Sequence, residues 1–157
     1  MKQITYNKLS DVQKKLLDTA EKAMKLAYNP YSHFFVGAAL LSYEGKMFTG
    51  SNVENAAYSP TICAERSAIV AANAKGVRVF DKVAIIAKGE TFDTKDVTSP
   101  CGVCRQMLFE FSQISGKDIE VIMSSTKKDK IIISTIKELL PLGFGPKDLC
   151  IDVKKFR

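Results

Sequence analysis

Two stretches decide how the chain is read: Ile62-Cys63-Ala64-Glu65-Arg66 and Ser99-Pro100-Cys101-Gly102-Val103-Cys104-Arg105. In both, a loop gives way to apolar residues at helical spacing, so each is read as a helix start. The first helix is expected over residues 63–74, ending at Gly76, and the second over 101–114, stopping at Gly116. Glycine adopts the left-handed turn of a helix end more readily than other residues. Between the helices, residues 83–87 read as a buried strand and 88–100 as a polar loop. Upstream, residues 35–43 and 46–53 are strand-like runs joined by Glu44-Gly45, a pair suited to a tight hairpin. Further upstream, Ser10-Asp11-Val12-Gln13 has the form of a capping box, followed by Val12, Leu16, Ala20, Ala23, Met24 and Ala27 at helical spacing until Asn29-Pro30. Downstream, residues 119–123 and 131–135 read as strands and 136–140 as a short last helix. This alternation predicts an α/β fold: a single domain over residues 1–157, with a five-stranded mixed sheet sandwiched by helices.

The two helix starts also carry the chemistry. The chain has four cysteines, and its beginning lacks the basic start and apolar stretch of a secretion signal. Metal binding or catalysis therefore explains them better than disulfides. Cys101 and Cys104 are three residues apart at a helix start, so their sulfurs can share one face, and Cys63 can supply a third. Helix N-termini favour thiolate over thiol. Three protein ligands with a fourth position left for water are the pattern of a catalytic zinc. Glu65, two residues after Cys63, is placed to take a proton from that water and pass it on. Three thiolates around a divalent ion leave a negative charge, which Arg66, and Arg105 beside Cys104, can draw off by hydrogen-bonding the sulfurs. Small buried hydrophobes, or a closed structural site with Cys150 as fourth ligand, are the plainer alternatives. Cys150 itself, in Leu149-Cys150-Ile151, is expected to pack in the core.

Net charge is +6, but the positive residues are dispersed, the densest runs being Lys127-Lys128-Asp129-Lys130 and Lys154-Lys155-Phe156-Arg157. A solvated basic surface is expected, not a nucleic-acid partner. No apolar run approaches the roughly 18 residues of a membrane span. A cytoplasmic protein without a membrane partner is the expectation.

Cys-Ala-Glu followed by Pro-Cys-x-x-Cys matches the signature of zinc deaminases, with cysteine in place of histidine and a glutamate that is not a ligand. The chain further resembles the small, homotetrameric, zinc-dependent cytidine deaminases from about Leu9 to Asp152. The resemblance is carried by Pro30-Tyr31-Ser32-His33-Phe34, Val36-Gly37-Ala38-Ala39 and Gly50-Ser51-Asn52-Val53-Glu54-Asn55-Ala56. It is carried too by the two cysteine stretches, Glu138-Leu139-Leu140-Pro141 and Phe144-Gly145-Pro146. Phe35 stands where that family commonly has proline.

The resemblance implies the cytidine-deaminase three-layer sandwich and hydrolysis of cytidine and deoxycytidine to the uridines plus ammonia, in pyrimidine salvage. It implies one zinc per subunit on Cys63, Cys101 and Cys104, with Glu65 as the proton carrier and Arg66 tuning the sulfurs. Asn52 and Glu54 would bind the ribose 3′-hydroxyl, Phe34 would pack on the pyrimidine, and backbone near Ala64 and residues 99–101 would hold the base edge. Phe144 would reach a neighbouring subunit's site, so that a homotetramer shares its active sites. The only histidine, His33, is given no metal role. Three rivals remain: a deaminase of a blasticidin-type aminonucleoside antibiotic, a polynucleotide-editing deaminase, which typically has His-x-Glu in place of Cys63-Ala64-Glu65, and a non-catalytic zinc module.

Overall fold

The computed structural model describes all residues 1–157. The first long helix, α1 (Asp11–Met24), starts where expected. Ser10 Oγ accepts from the Gln13 amide at 3.3 Å, and Gln13 Oε1 accepts from the Ser10 amide at 3.0 Å. Its buried stripe is Leu16, Leu17, Ala20, Ala23 and Met24, and it ends at Lys25, before Asn29-Pro30 is reached. Strands β2 (Phe34–Ser42) and β3 (Met47–Ser51) form the hairpin, with Gly45 at φ 79° in its turn. Then come α2 (Ala64–Asn73), β4 (Phe80–Gly89), α3 (Gly102–Ser115), β5 (Glu120–Ser124), β6 (Ile131–Thr135) and α4 (Ile136–Leu139). Gly116 closes α3 at φ 71°, its amide bonded to the Ser112 and Gln113 carbonyls.

The sheet has six strands, not five. Residues Lys2–Ile4 form an edge strand, β1, paired antiparallel to Ile133, Ile132 and Ile131 of β6. Three residues are too few to show a period of their own; pairing with β6 makes them a strand. The order is β1-β6-β5-β4-β2-β3, antiparallel throughout except for β4 and β5, whose parallel pairing requires the α3 crossover.

Alternation along the strands splits the core in two. Ala84 and Ile86 of β4 face α1, packing with Leu16, Leu17, Ala20, Leu41 and Ile122. Val83 and Ile85 face the other way, with Ile69 of α2, Leu108 of α3 and Val121. The result is three layers, helix on sheet on helices. Two glycines set how closely the helices approach. A Cβ on Gly37 would lie 2.0 Å from the Ala20 carbonyl oxygen of α1, and one on Gly50 would lie 2.2 Å from the Ala64 oxygen of α2. No contact that short is sterically possible, so α2 rests directly on β3 backbone.

After α4, two 3-10 turns (Pro146–Leu149 and Val153–Phe156) complete the chain. Cys150 lies between them at φ 54° and is exposed, contrary to the core position expected from its apolar neighbours. Leu149 and Ile151 are exposed with it, so this run coats a surface of the single chain. No helix is long and apolar enough to cross a membrane.

Candidate active site

The fold brings the starts of α2 and α3 together. Cys63 and Cys101 occupy the cap positions of the two helices in extended conformation, and neither side chain caps its own helix. Their sulfurs are therefore free for other use. Cys63 Sγ lies 3.9 Å from Cys101 Sγ, which lies 3.5 Å from Cys104 Sγ, and all three fall within 4.8 Å of one another. Sulfurs about 2.3 Å from a tetrahedral zinc are about 3.8 Å apart, so the donor set fits that ion. Neither His33 nor Cys150 joins the group. His33 Nδ1 instead lies 3.4 Å from Glu90 Oε2.

The sulfurs hold their protons unequally. Hydrogen bonding from Cys104 lowers the Cys63 pKa to about 5 against the opposing effect of burial, with Cys101 and Arg66 adding to the pull. The same hydrogen bond, with burial and the Glu65 charge, pushes Cys104 up. Arg66 Nη2 donates to the Thr61 carbonyl at 2.9 Å, while its buried Nε has no nitrogen or oxygen partner. An orphaned cationic donor beside thiolates fits the charge-drawing role expected of it. Arg105 does not share that role. It donates to the Pro100 and Leu139 carbonyls at 2.7 and 3.1 Å and to Ser99 Oγ at 3.4 Å, because the turn before α3 and the end of α4 lie within its reach.

Glu65, in the first turn of α2, is 4% exposed. Burial raises its pKa to about 7 against its own backbone amide, and the Cys63 charge adds to the rise. A carboxyl near neutrality is matched to proton transfer in both directions.

The loop before β2 carries a second group. Asn52, buried at the end of β3, accepts at Oδ1 from the Val36 amide and donates from Nδ2 to the Phe34 carbonyl, both at 2.9 Å. Glu54 accepts at Oε2 from the Tyr31 and Ser32 amides at 2.9 and 3.1 Å, and at Oε1 from the Ser32 hydroxyl. Glu54, Tyr31, Ser32, Tyr58 and Thr61 line a cleft of about 370 Å³. Phe34 stacks on Phe92, ring centres 6.3 Å apart. Ala64 is fully buried in the first turn of α2. Phe144 stands outside both groups. It is 61% exposed, and its carbonyl accepts from Gln106 Nε2 at 2.8 Å.

Sequence reasoning did not single out Ser32 or Phe92. Ser32 sits inside a recognised motif but shows its partners only in three dimensions. Phe92 lies in a loop whose polar composition hid it.

Three cysteine sulfurs and a buried carboxyl group, set at neighbouring helix starts on a three-layer α/β/α scaffold, define a zinc-dependent deaminase class of hydrolase. Residues 10–116 match the model of the cytidine and deoxycytidylate deaminase zinc-binding region, and the chain belongs to that family. It is 45% identical over 139 residues to a cytidine deaminase of Sporosarcina psychrophila, covering 88% of this chain and 95% of that protein. A probable cytidine deaminase of Dictyostelium discoideum is 42% identical over 136 residues, covering 86% and 85%. Among solved structures, cytidine deaminase from Burkholderia pseudomallei superposes with a TM-score of 0.76 at 36% identity, covering 87% of this chain and all of that one.

Proposed function

We infer that the chain is a zinc-dependent hydrolase that deaminates cytidine and deoxycytidine to uridine and deoxyuridine plus ammonia, serving pyrimidine salvage. One observation carries the reading: three sulfurs at the spacing of a single zinc, with Glu65 buried two residues beyond the first of them. Zinc supplies a Lewis acid that makes a water nucleophilic near neutral pH. The water oxygen would bond to C4 of the base while the Glu65 carboxylate carried one of its protons to N3 and the other to the exocyclic amino group, so that the C4–amino bond breaks and ammonia leaves. Arg66 tempers the charge of the thiolates. A purely structural zinc module would need a fourth ligand and would have no use for a buried carboxyl of raised pKa.

Asn52 and Glu54 are assigned to the ribose 3′-hydroxyl. Counting their bonds supports this. Asn52 has one Nδ2 hydrogen not given to Phe34, and Glu54 has one acceptor position not filled by the loop. One donor and one acceptor are what a single hydroxyl requires. Phe34 packs on the pyrimidine, while Ala64 and the 99–101 backbone hold its edge. Phe144, Tyr58, Val70, Val103 and Leu142 are all large apolar side chains left exposed by the single chain. Their exposure is in keeping with a homotetramer in which Phe144 completes a neighbour's site. A cytoplasmic location is in keeping with a salvage role.

Ammonia release from cytidine, followed with zinc-loaded protein, tests the function. Cytidine and deoxycytidine are expected to react, and 3′-deoxycytidine, free cytosine and CMP to be poor. Losses of up to about 10⁴-fold accompany removal of a hydroxyl around which a site is built. Absence of ammonia release would overturn the enzymatic reading. Equal efficiency on 3′-deoxycytidine would remove Asn52 and Glu54 from the ribose role.

A further inference from the structure

The Ser32 hydroxyl serves two partners at once. It donates to Glu54 Oε1 and accepts from the Phe34 backbone amide at 3.1 Å. A carboxylate has about four acceptor positions. Tyr31 and Ser32 amides take two at Oε2, and the Ser32 hydroxyl takes one at Oε1, so the remaining position lies on the oxygen that Ser32 orients. Burial alone would push the Glu54 carboxyl up. Hydrogen bonds from Ser32 and the Tyr31 amide outweigh it and hold the group below the usual carboxylate range, keeping it an acceptor.

The backbone is bent to make this possible. His33, between Ser32 and Phe34, sits at φ 54°, a conformation unfavourable for a residue with a Cβ. Strain of this kind persists only where neighbours over-determine it. Here the His33 amide donates to the Asn29 carbonyl at 3.0 Å, and its own carbonyl accepts from the Glu90 amide at 2.9 Å. The kink lets one hydroxyl reach both the Phe34 amide and the Glu54 carboxylate.

We propose that Ser32 is a positioning residue for the nucleoside, its hydroxyl setting the Glu54 carboxylate and the Phe34 backbone together and so linking the sugar contact to the base contact. The proposal rests on Glu54 being the ribose ligand. The test compares Ser32→Ala, Ser32→Thr and Glu54→Gln on cytidine and 3′-deoxycytidine, with zinc content and melting temperature confirming the fold. Ser32→Ala should lower kcat/KM for cytidine about tenfold, the scale of one hydrogen bond to a charged group. The loss should fall on KM rather than kcat and should narrow the preference for the 3′-hydroxyl by a similar factor. Ser32→Thr, which keeps the hydroxyl, should restore most of it. An equal loss on both nucleosides, or an unchanged preference, overturns the proposal, since a merely structural role would not distinguish them. If Glu54→Gln abolishes the preference while Ser32→Ala keeps it, only the Ser32 inference fails. If Glu54→Gln keeps the full preference, the ribose reading fails with it.

Discussion

Glu65 and Cys150 show how differently the fold places two residues of the same chain. Glu65 is nearly inaccessible and its carboxyl is held near neutrality, whereas Cys150 is exposed on a surface turn. Glu65→Gln keeps the shape and removes the titrating proton. It should fold, bind one zinc per chain and bind nucleoside, yet lose about 10²–10⁴-fold in kcat. Turnover within tenfold of the parent enzyme would exclude Glu65 as the proton carrier. Cys150→Ser should leave zinc content unchanged and stability within about 0.5 kcal/mol, as for ordinary surface substitutions. Zinc lost from this variant, measured by metal analysis, would revive a fourth-ligand model.

At the scale of elements, the decisive contact is that between α2 and β3. Cys63 occupies the N-cap position of α2 and Glu65 lies in its first turn, so whatever seats that helix seats both groups proposed to react. A Cβ on Gly50 would meet the Ala64 oxygen at 2.2 Å and the Ala68 nitrogen at 2.4 Å, both backbone atoms that cannot swing aside. Gly50→Ala should therefore lift α2, costing about 1–3 kcal/mol or more. The melting temperature should fall by several degrees, about 2–4 °C per kcal/mol for a chain of this size. Zinc affinity should fall with it. Gly102→Ala, at the first position of α3 with open space around its Cβ, is the control and should melt within a few degrees of the parent. Equal melting temperatures and zinc content for the two variants would show that the α2 seat does not set the site.

On the proposed reading, metal and assembly both complete what one chain leaves open. Removing zinc with a chelator should lower the melting temperature reversibly, because a ligand that binds only the folded state stabilises it by mass action. A melting temperature that does not respond to zinc, followed by calorimetry, would argue that the three sulfurs hold no ion. Sedimentation should give four times the 17.3 kDa chain mass. If Phe144 serves a neighbour, inactive Glu65→Gln chains should rescue weakened Phe144→Ala chains. Tetramers reassembled from both should then exceed the activity of the two kept apart. No gain on mixing would place Phe144 outside the shared site.

Local chemistry makes much of this protein legible in its sequence. The Ser10 cap, the Gly45 turn and the Gly116 stop are written in neighbouring residues, as is the pairing of Cys101 with Cys104, so their reading needed no partner. The placement of Glu65 beside Cys63 was legible for the same reason, being set by helix geometry. The sixth strand was not, because Lys2–Ile4 become a strand only by pairing with β6, far along the chain. The turning of Arg105 away from the sulfurs, the exposure of Cys150 and the hub at Ser32 were likewise decided by tertiary structure. Each depends on which distant carbonyl, carboxylate or open surface the fold happens to bring alongside, and short-range periodicity carries no record of that.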